Sequence, residues 1–320
     1  MKRADTKVVD VGGVKIGGDN PVVVQSMTNT STDDVEATLG QIESLVEWGC
    51  ELVRVAVPDS EAGRALPEIV DRSPVPIIAD IHYSPDLAFM ALEAGVSKLR
   101  LNPGNITDPG AISDIAGEAS SRSIPIRVGV NSGSLDKEIL AEYGRTSEAM
   151  VLSAEREIEL LEEQGFEDIV VSLKASEVGK TIEANEIFSR RYDYPLHLGV
   201  TEAGGGRSGL IKSAVGIGAL LQEGIGDTIR VSLTARPEEE VGAAYDILKS
   251  LDIRKRGVDF VSCPTCGRTE IDVQTLSREL ERRLADLEGH VRVSLMGCSV
   301  NGIGEAGSSN LGLVGTSEGG

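Results

Sequence analysis

With 320 residues and a formal net charge of -20, the chain has room for one large domain and one small one, and its surface suits neither nucleic acid nor any other polyanion. Hydrophobic residues make up 40% and aromatics 3%, so the core must be built from Val, Ile, Leu and Ala. No apolar run reaches membrane-spanning length, and no apolar h-region follows "MKRADTKVVD". These features predict a cytoplasmic protein without nucleic-acid or membrane partners.

In chain order, "VVDVGGVKIGGD" reads as a small hairpin that plugs the bottom of the domain that follows. Eight short β-branched runs come next, at 21–27, 51–57, 76–82, 98–103, 125–131, 168–174, 195–201 and 227–233. Amphipathic stretches such as "DVEATLGQIESLVEWG" separate them, with apolar residues at helical spacing. Eight strand–helix units predict a (β/α)8 TIM barrel over residues 1–252. A doubly wound open sheet is the alternative, because a strand count does not decide closure. From 253 to 320 the pattern changes to a small α+β domain. It has a strand at 257–262, a cysteine loop, a charged helix at about 272–287, the strand "HVRVSLMG" and a second, Gly-rich cysteine loop. The tail "GLVGTSEGG" is expected to fray.

In a parallel barrel the chemistry lies beyond the C-terminal strand ends. Polar residues there are Gln25, Ser26, Arg54, Asp80, His82, Arg100, Asn102 and Asn105, then Arg127, Asn131, Ser172, Lys174, His197, Thr201, Glu202, Arg230 and Ser232. A single basic residue among these is most simply a snorkelling or paired cation. Arg54, Arg100, Arg127, Lys174 and Arg230 converging on one mouth instead require matching negative charge, and fork-shaped arginine donors suit phosphate oxygens. His82 and His197 fall at strand ends, where they contact a ligand or serve as general acids. Asp80 and Glu202 form either an acid/base pair or salt bridges to neighbouring arginines. His290, just before the last strand, reads as a surface residue.

Four cysteines in a reducing compartment speak for metal or catalysis rather than disulfides. Cys50, beside Trp48 at the end of the first barrel helix, reads as a core thiol. Cys263 and Cys266 form a C-x2-C loop shaped by Pro264 and Gly267, and Cys298 stands alone in "GCSVNGIGE". A zinc ribbon normally needs a second pair or a histidine. Three thiolates are also a common way of holding a [4Fe–4S] cluster with one iron left open. Glu305, across a loop containing Gly302 and Gly304, is either a solvated acid or a carboxylate folded back toward that iron.

Long, ordered motifs now bear on the choice: "VVQSMTNTST", "ELVRVAVP", "ADIHYSPDLA", "RLNPGNI", "IRVGVNSGSL", "VSLKASE", "LHLGVTEAGGGRSG", "GIGDTIRVSL", "SCPTCGRTEID" and "MGCSVNGIGEA". Over nearly its whole length the chain resembles the 4-hydroxy-3-methylbut-2-enyl diphosphate synthase family, iron–sulfur enzymes of methylerythritol phosphate isoprenoid synthesis. The resemblance implies reductive, dehydroxylating ring-opening of 2-C-methyl-D-erythritol 2,4-cyclodiphosphate. It implies a [4Fe–4S] cluster on Cys263, Cys266, Cys298 and Glu305, with Glu202 or His82 as proton donor. Substrate contacts then fall to Arg54, Arg100, Asn102, Arg127, Asn131, Lys174, His197, Arg230 and Ser232. Ferredoxin or flavodoxin would supply electrons. A homodimer would share its sites between chains, because the last barrel helix, 237–250, carries the chain about 20 Å back from the mouth. The competing readings are a barrel enzyme for a phosphate-bearing ligand with a zinc appendage, and an acidic iron–sulfur carrier.

Overall fold

The structure is a computed structural model that describes residues 5–82, 84–102, 108–284, 287 and 289–316. It divides into two compact units, Met1–Ile247 and Leu248–Gly320.

The first unit opens with a two-stranded antiparallel hairpin, β1 (Val9–Val11) and β2 (Val14–Ile16). Eight parallel strands follow: β3 (Val23–Met27), β4 (Leu52–Ala56), β5 (Ile77–Asp80), β6 (Lys98–Leu101), β7 (Ile126–Asn131), β8 (Ile169–Lys174), β9 (His197–Leu198) and β10 (Thr228–Ile229). Their order, β8-β7-β6-β5-β4-β3-β10-β9, brings the two ends of the sheet back together. The Val171 N–H donates to the Pro195 carbonyl at 2.9 Å, and Val171 bridges Leu196 in parallel. The sheet is therefore a barrel and not an open, doubly wound sheet.

Helices α1 (Val35–Glu47), α2 (Ser60–Arg72), α3 (Pro85–Glu93), α4 (Pro109–Ser121), α5 (Lys137–Tyr143), α6 (Ser147–Glu162), α7 (Val178–Arg191), α8 (Gly206–Gln222) and α9 (Pro237–Ser250) return the chain between strands. Part of the chain's acidity serves their N-termini. The carboxylates of Asp34, Asp59, Asp108 and Asp136 accept backbone N–H groups of the first turns, which satisfies donors that have no partner inside the helix.

The hairpin does plug the barrel. Val9, Val11 and Ile16 pack in one buried cluster with Val23, Leu52, Ile78 and Val170, which lie at or near the starts of β3, β4, β5 and β8. The N-terminal end is thus closed by aliphatic contacts, and the C-terminal end alone is left for polar chemistry.

The second unit is a three-stranded parallel sheet, β11 (Gly257–Ser262), β12 (His290–Met296) and β13 (Leu311–Val314), with helices α10 (Val273–Arg283) and α11 (Ser299–Gly307). Two expectations need correction. The Gly-rich segment after Cys298 is a helix and not a loop, and "GLVG" is a strand paired with β12 from Val293↔Leu311 to Met296↔Val314. Its glycines mark close packing rather than turning. A Cβ on Gly302 would stand 2.4 Å from a Val314 methyl, and one on Gly312 would stand 2.5 Å from the Ala306 Cβ.

Replacing Ile16, fully buried in the plug, by Ala is expected to lower unfolding stability by about 2–5 kcal/mol, measured by urea denaturation.

Candidate functional site

Strand alternation points Arg54, Lys98, Arg100, Arg127 and Lys174 into the barrel interior, Lys98 level with Ile78 of the plug cluster, and Arg230 follows just beyond β10; two buried carboxylates, Asp80 and Glu240, meet Arg54, Arg100 and Arg230. Asp80 is 4% exposed and shared three ways: Arg100 Nη1 at 3.1 Å, His82 Nε2 at 3.4 Å and Arg54 Nε at 3.6 Å. Burial alone would raise its pKa. The Arg54 charge, the His82 hydrogen bond and the Arg100 charge outweigh burial and hold the carboxyl well below the usual carboxylate range. Asp80 is therefore a fixed anion that orients two guanidinium groups and an imidazole, and of its two expected roles it takes the salt bridge. Glu240, on α9, accepts from Arg230 Nη2 at 3.3 Å and from the Leu233 N–H at 2.8 Å.

The remaining cation donors are poorly satisfied. Arg54 gives two N–H groups to the thioether of Met27, at 3.2 and 3.0 Å, and Arg230 Nη1 stands 3.6 Å from the same sulfur. A thioether is a weak acceptor, so a phosphate oxygen that displaced it would gain strong, charge-assisted bonds. Arg127 is 1% exposed, and among the described residues its Nε and Nη1 have no hydrogen-bond partner. Burial, then the charges of Arg127 and Arg54, push Lys174 down. His197 is fully buried, with Nε2 unpartnered and Nδ1 3.4 Å from Thr228 Oγ1. Burial, followed by the Lys174 and Arg127 charges, pushes it down as well.

Glycine makes room for two of the cations. A Cβ on Gly129 would lie 2.6 Å from Arg100 Nε, and one on Gly199 would lie 2.7 Å from Lys174 Nζ. Around this core, Asn102 Nδ2 donates to Ser134 Oγ at 3.1 Å, and Asn131 Nδ2 donates to Thr201 Oγ1 at 3.2 Å. Ser232 is half-buried just beyond β10. Glu202 is exposed and holds a left-handed backbone, φ 52°. Asn105 lies outside the described residues. Strand-end reading did not single out Lys98, Met27, Glu240, Gly129 or Gly199. The K-x-R alternation in "KLRL" was a usable signal for Lys98, since it sets two bases on one face of a buried strand.

In the second unit Cys263, Cys266 and Cys298 border one cavity of about 170 Å³, together with Thr269, Met296 and Gly297. The Gly297 N–H donates to Cys263 Sγ at 3.2 Å, and a Cβ there would strike Thr269 at 2.7 Å and approach that sulfur to 3.2 Å. Thr265 takes a left-handed φ of 45° inside the C-x2-C loop, and Cys298 is the N-cap of α11. Among the described residues no three His, Cys, Asp or Glu side chains converge on one metal-ion position. Three thiols spread around a cavity, with a backbone donor on one sulfur, fit a multi-atom cluster better than a single zinc. Glu305 is exposed two turns further along α11, about 10 Å from Cys298 along the axis, and does not line the cavity. Cys50 is a core thiol as expected, 3% exposed, and burial pushes it up to about 12. His290 is half-buried, with Nδ1 3.2 Å from the Gly257 carbonyl oxygen.

A closed parallel barrel with buried basic residues gathered in its interior, carried on one chain with a small unit whose three cysteines border one cavity, defines a TIM-barrel protein with a cysteine-bearing second unit. The chain belongs to the GcpE family: residues 6–245 match the GcpE TIM-barrel domain and residues 259–320 the GcpE protein C-terminal domain. It is 55% identical to 4-hydroxy-3-methylbut-2-en-1-yl diphosphate synthase (flavodoxin) of Persephonella marina, over 98% of this chain and 90% of that one. The proteins of the same name from Aquifex aeolicus and Geobacter sulfurreducens are 53% and 52% identical, each over 98% of this chain, covering 88% and 89% of theirs. Among solved structures, the Yersinia pestis dihydropteroate synthase aligns with TM-score 0.55 at 12% identity, over 77% of this chain and 98% of that one. A type I 3-dehydroquinate dehydratase from Clostridium difficile gives 0.55 at 13%, over 78% of this chain and 98% of that one, so these two share the fold alone.

Iodoacetamide applied to the folded, metal-free protein is expected to alkylate Cys263, Cys266 and Cys298 and to reach Cys50 only after denaturation, as read by peptide mass mapping. Early labelling of Cys50 would contradict its burial.

Proposed function

We propose that the chain reduces 2-C-methyl-D-erythritol 2,4-cyclodiphosphate to 4-hydroxy-3-methylbut-2-enyl diphosphate, as a cytoplasmic enzyme of isoprenoid biosynthesis. The observation that carries the reading is the guanidinium donors left on a thioether or on nothing, in a chain whose relatives bear this synthase name. Arg54, Arg100, Arg127, Lys174 and Arg230 bind the two phosphoryl groups, while Asn102, Asn131, His197 and Ser232 complete the contacts. Two electrons and one proton enter, the ring opens, and the substrate's hydroxyl departs as water. Glu202 or His82 gives that proton. His82 is held 3.4 Å from Asp80, and Glu202 stands exposed just beyond β9.

When bound, a [4Fe–4S] cluster supplies the electrons and a Lewis-acidic iron, with Cys263, Cys266 and Cys298 holding it. Glu305 is kept as fourth ligand on the family resemblance alone. Flavodoxin is the proposed electron donor, on the strength of the relatives' names. We propose further that two chains pair so that each cluster unit serves the partner's barrel, since α9 carries the chain about 20 Å away from its own mouth.

Anaerobically purified protein is expected to be brown, with one four-iron cluster that each of Cys263→Ser, Cys266→Ser and Cys298→Ser removes and Cys50→Ser keeps. Zinc at one per chain without iron would sink the cluster reading. Arg54→Ala and Lys174→Ala should each weaken cyclodiphosphate binding by about 1.5–3 kcal/mol, and unchanged affinity in both would move the ligand elsewhere. If sites are shared, mixing Cys298→Ser with Arg54→Ala protein under subunit exchange restores turnover, because one site of each mixed dimer is intact. If each chain serves itself, the mixture stays inactive.

A further inference from the structure

Lys98 opens β6 and shares its interior face with Arg100, which lies two residues and roughly 7 Å nearer the mouth. It is fully buried, and among the described residues its Nζ has no hydrogen-bond partner. A buried ammonium with unfilled donors is among the costliest states a side chain can hold. The groups facing it do not relieve that cost. After burial itself, the charges of Arg127 on β7 and Arg54 on β4 act against a proton on Lys98. His197 on β9 is within reach of its field and is itself basic. Asp80, on neighbouring β5, is already divided among Arg54, Arg100 and His82. Further round the barrel lie two more bases, Lys174 on β8 and Arg230 just beyond β10, and Arg230 takes Glu240. Gln25 on β3 is neutral, and both polar atoms of its amide also lack partners.

Arginine does not give up its proton near neutrality, so the empty barrel can shed its excess charge only through its lysines and histidine. An anion entering the mouth reverses the field at Nζ and supplies the acceptor it lacks. We propose that Lys98 is a proton-linked anion ligand at the floor of the mouth, taking up a proton as the cyclodiphosphate enters and meeting it from below as an ammonium. This rests on the substrate reading above and adds to it a residue and a pH dependence. The sign follows from linkage: the proton is held more tightly with ligand present, so affinity falls as pH rises through the range in which binding takes it up. The fall is about tenfold per pH unit for one proton.

The test is isothermal titration of cyclodiphosphate into the oxidised, cluster-loaded full chain without reductant, near neutral pH, in buffers of differing ionisation enthalpy. Both phosphoryl groups of the ligand are already ionised there, so the dependence of observed heat on buffer counts protons taken up by the protein. The native protein is expected to take up about one proton or more per site. Lys98→Met should take up about one fewer and bind with a flatter pH dependence, and Lys98→Arg, charged throughout, should bind while also losing that proton. Binding with no buffer dependence in the native protein, which needs no variant, overturns the role of Lys98 and leaves the substrate reading standing. An uptake unchanged in Lys98→Met or Lys98→Arg does the same. No binding heat in the native protein overturns the substrate reading and the proposal with it.

Discussion

Guanidinium groups are buried in this barrel faster than carboxylates are supplied to meet them, and most of the site's geometry follows from that imbalance. Asp80 is the one acid held among Arg54, Arg100 and His82, and it fixes the side of the mouth where β4, β5 and β6 adjoin. Glu240 does the same for Arg230 from α9. Between these anchors donors outnumber strong acceptors: among the described residues Arg127 lacks partners on two nitrogens, and Arg54 rests on the sulfur of Met27. Such an interior is stable only because it is embedded in an otherwise aliphatic barrel whose other end is sealed by Val9, Val11 and Ile16. The plug and the cations belong to one design, since closing one end with hydrocarbon confines the polar groups to the other.

The second unit meets a different demand with small residues. Three sulfurs must border one cavity without a Cβ intruding, and Gly297 satisfies this while lending its N–H to Cys263. Gly302 and Gly312 then let α11 lie close against β13. Cys298 is the N-cap of that helix, so the helix start is tied to the wall of the cavity.

The barrel was legible because its signals are repeated. Eight β-branched runs alternating with amphipathic stretches left a barrel or an open doubly wound sheet, the Val171–Pro195 contact decides for the barrel, and the basic residues read at the strand ends meet in its interior. Cys50 was legible from its place between the first barrel helix and the strand that follows it. The nature of the segment after Cys298 was not. "GIGEAG" carries turn-forming glycines, and only the packing of Gly302 on Val314 reveals that the missing side chain serves helix–strand contact. Glu240 was hidden for another reason: it sits in the acidic first turn of α9, where Glu238, Glu239 and Glu240 look alike, and the strand it reaches is distant in the logic of strand ends. Lys98 was overlooked because it begins its strand, and attention to strand ends favours Arg100, two residues on.

In the proposed reaction, opening the ring severs a carbon–oxygen bond whose oxygen stays on phosphorus, so a cyclic diphosphate becomes a linear one with one more negative charge. A cationic array that binds substrate therefore binds the developing charge better, and that difference is what lowers a barrier. The donors are already fixed before the ligand arrives: Asp80 orients Arg54 and Arg100, the Gly129 and Gly199 positions leave their neighbours space, and Met27 holds guanidinium groups with a contact weak enough to lose. Little reorganisation is left for the moment of bond breaking. The same preference has to be undone for product to leave, and arginines cannot help with that because they keep their charge. Groups that can return a proton are the ones able to loosen the site, and in this barrel those are the lysines on β6 and β8 and the imidazole on β9.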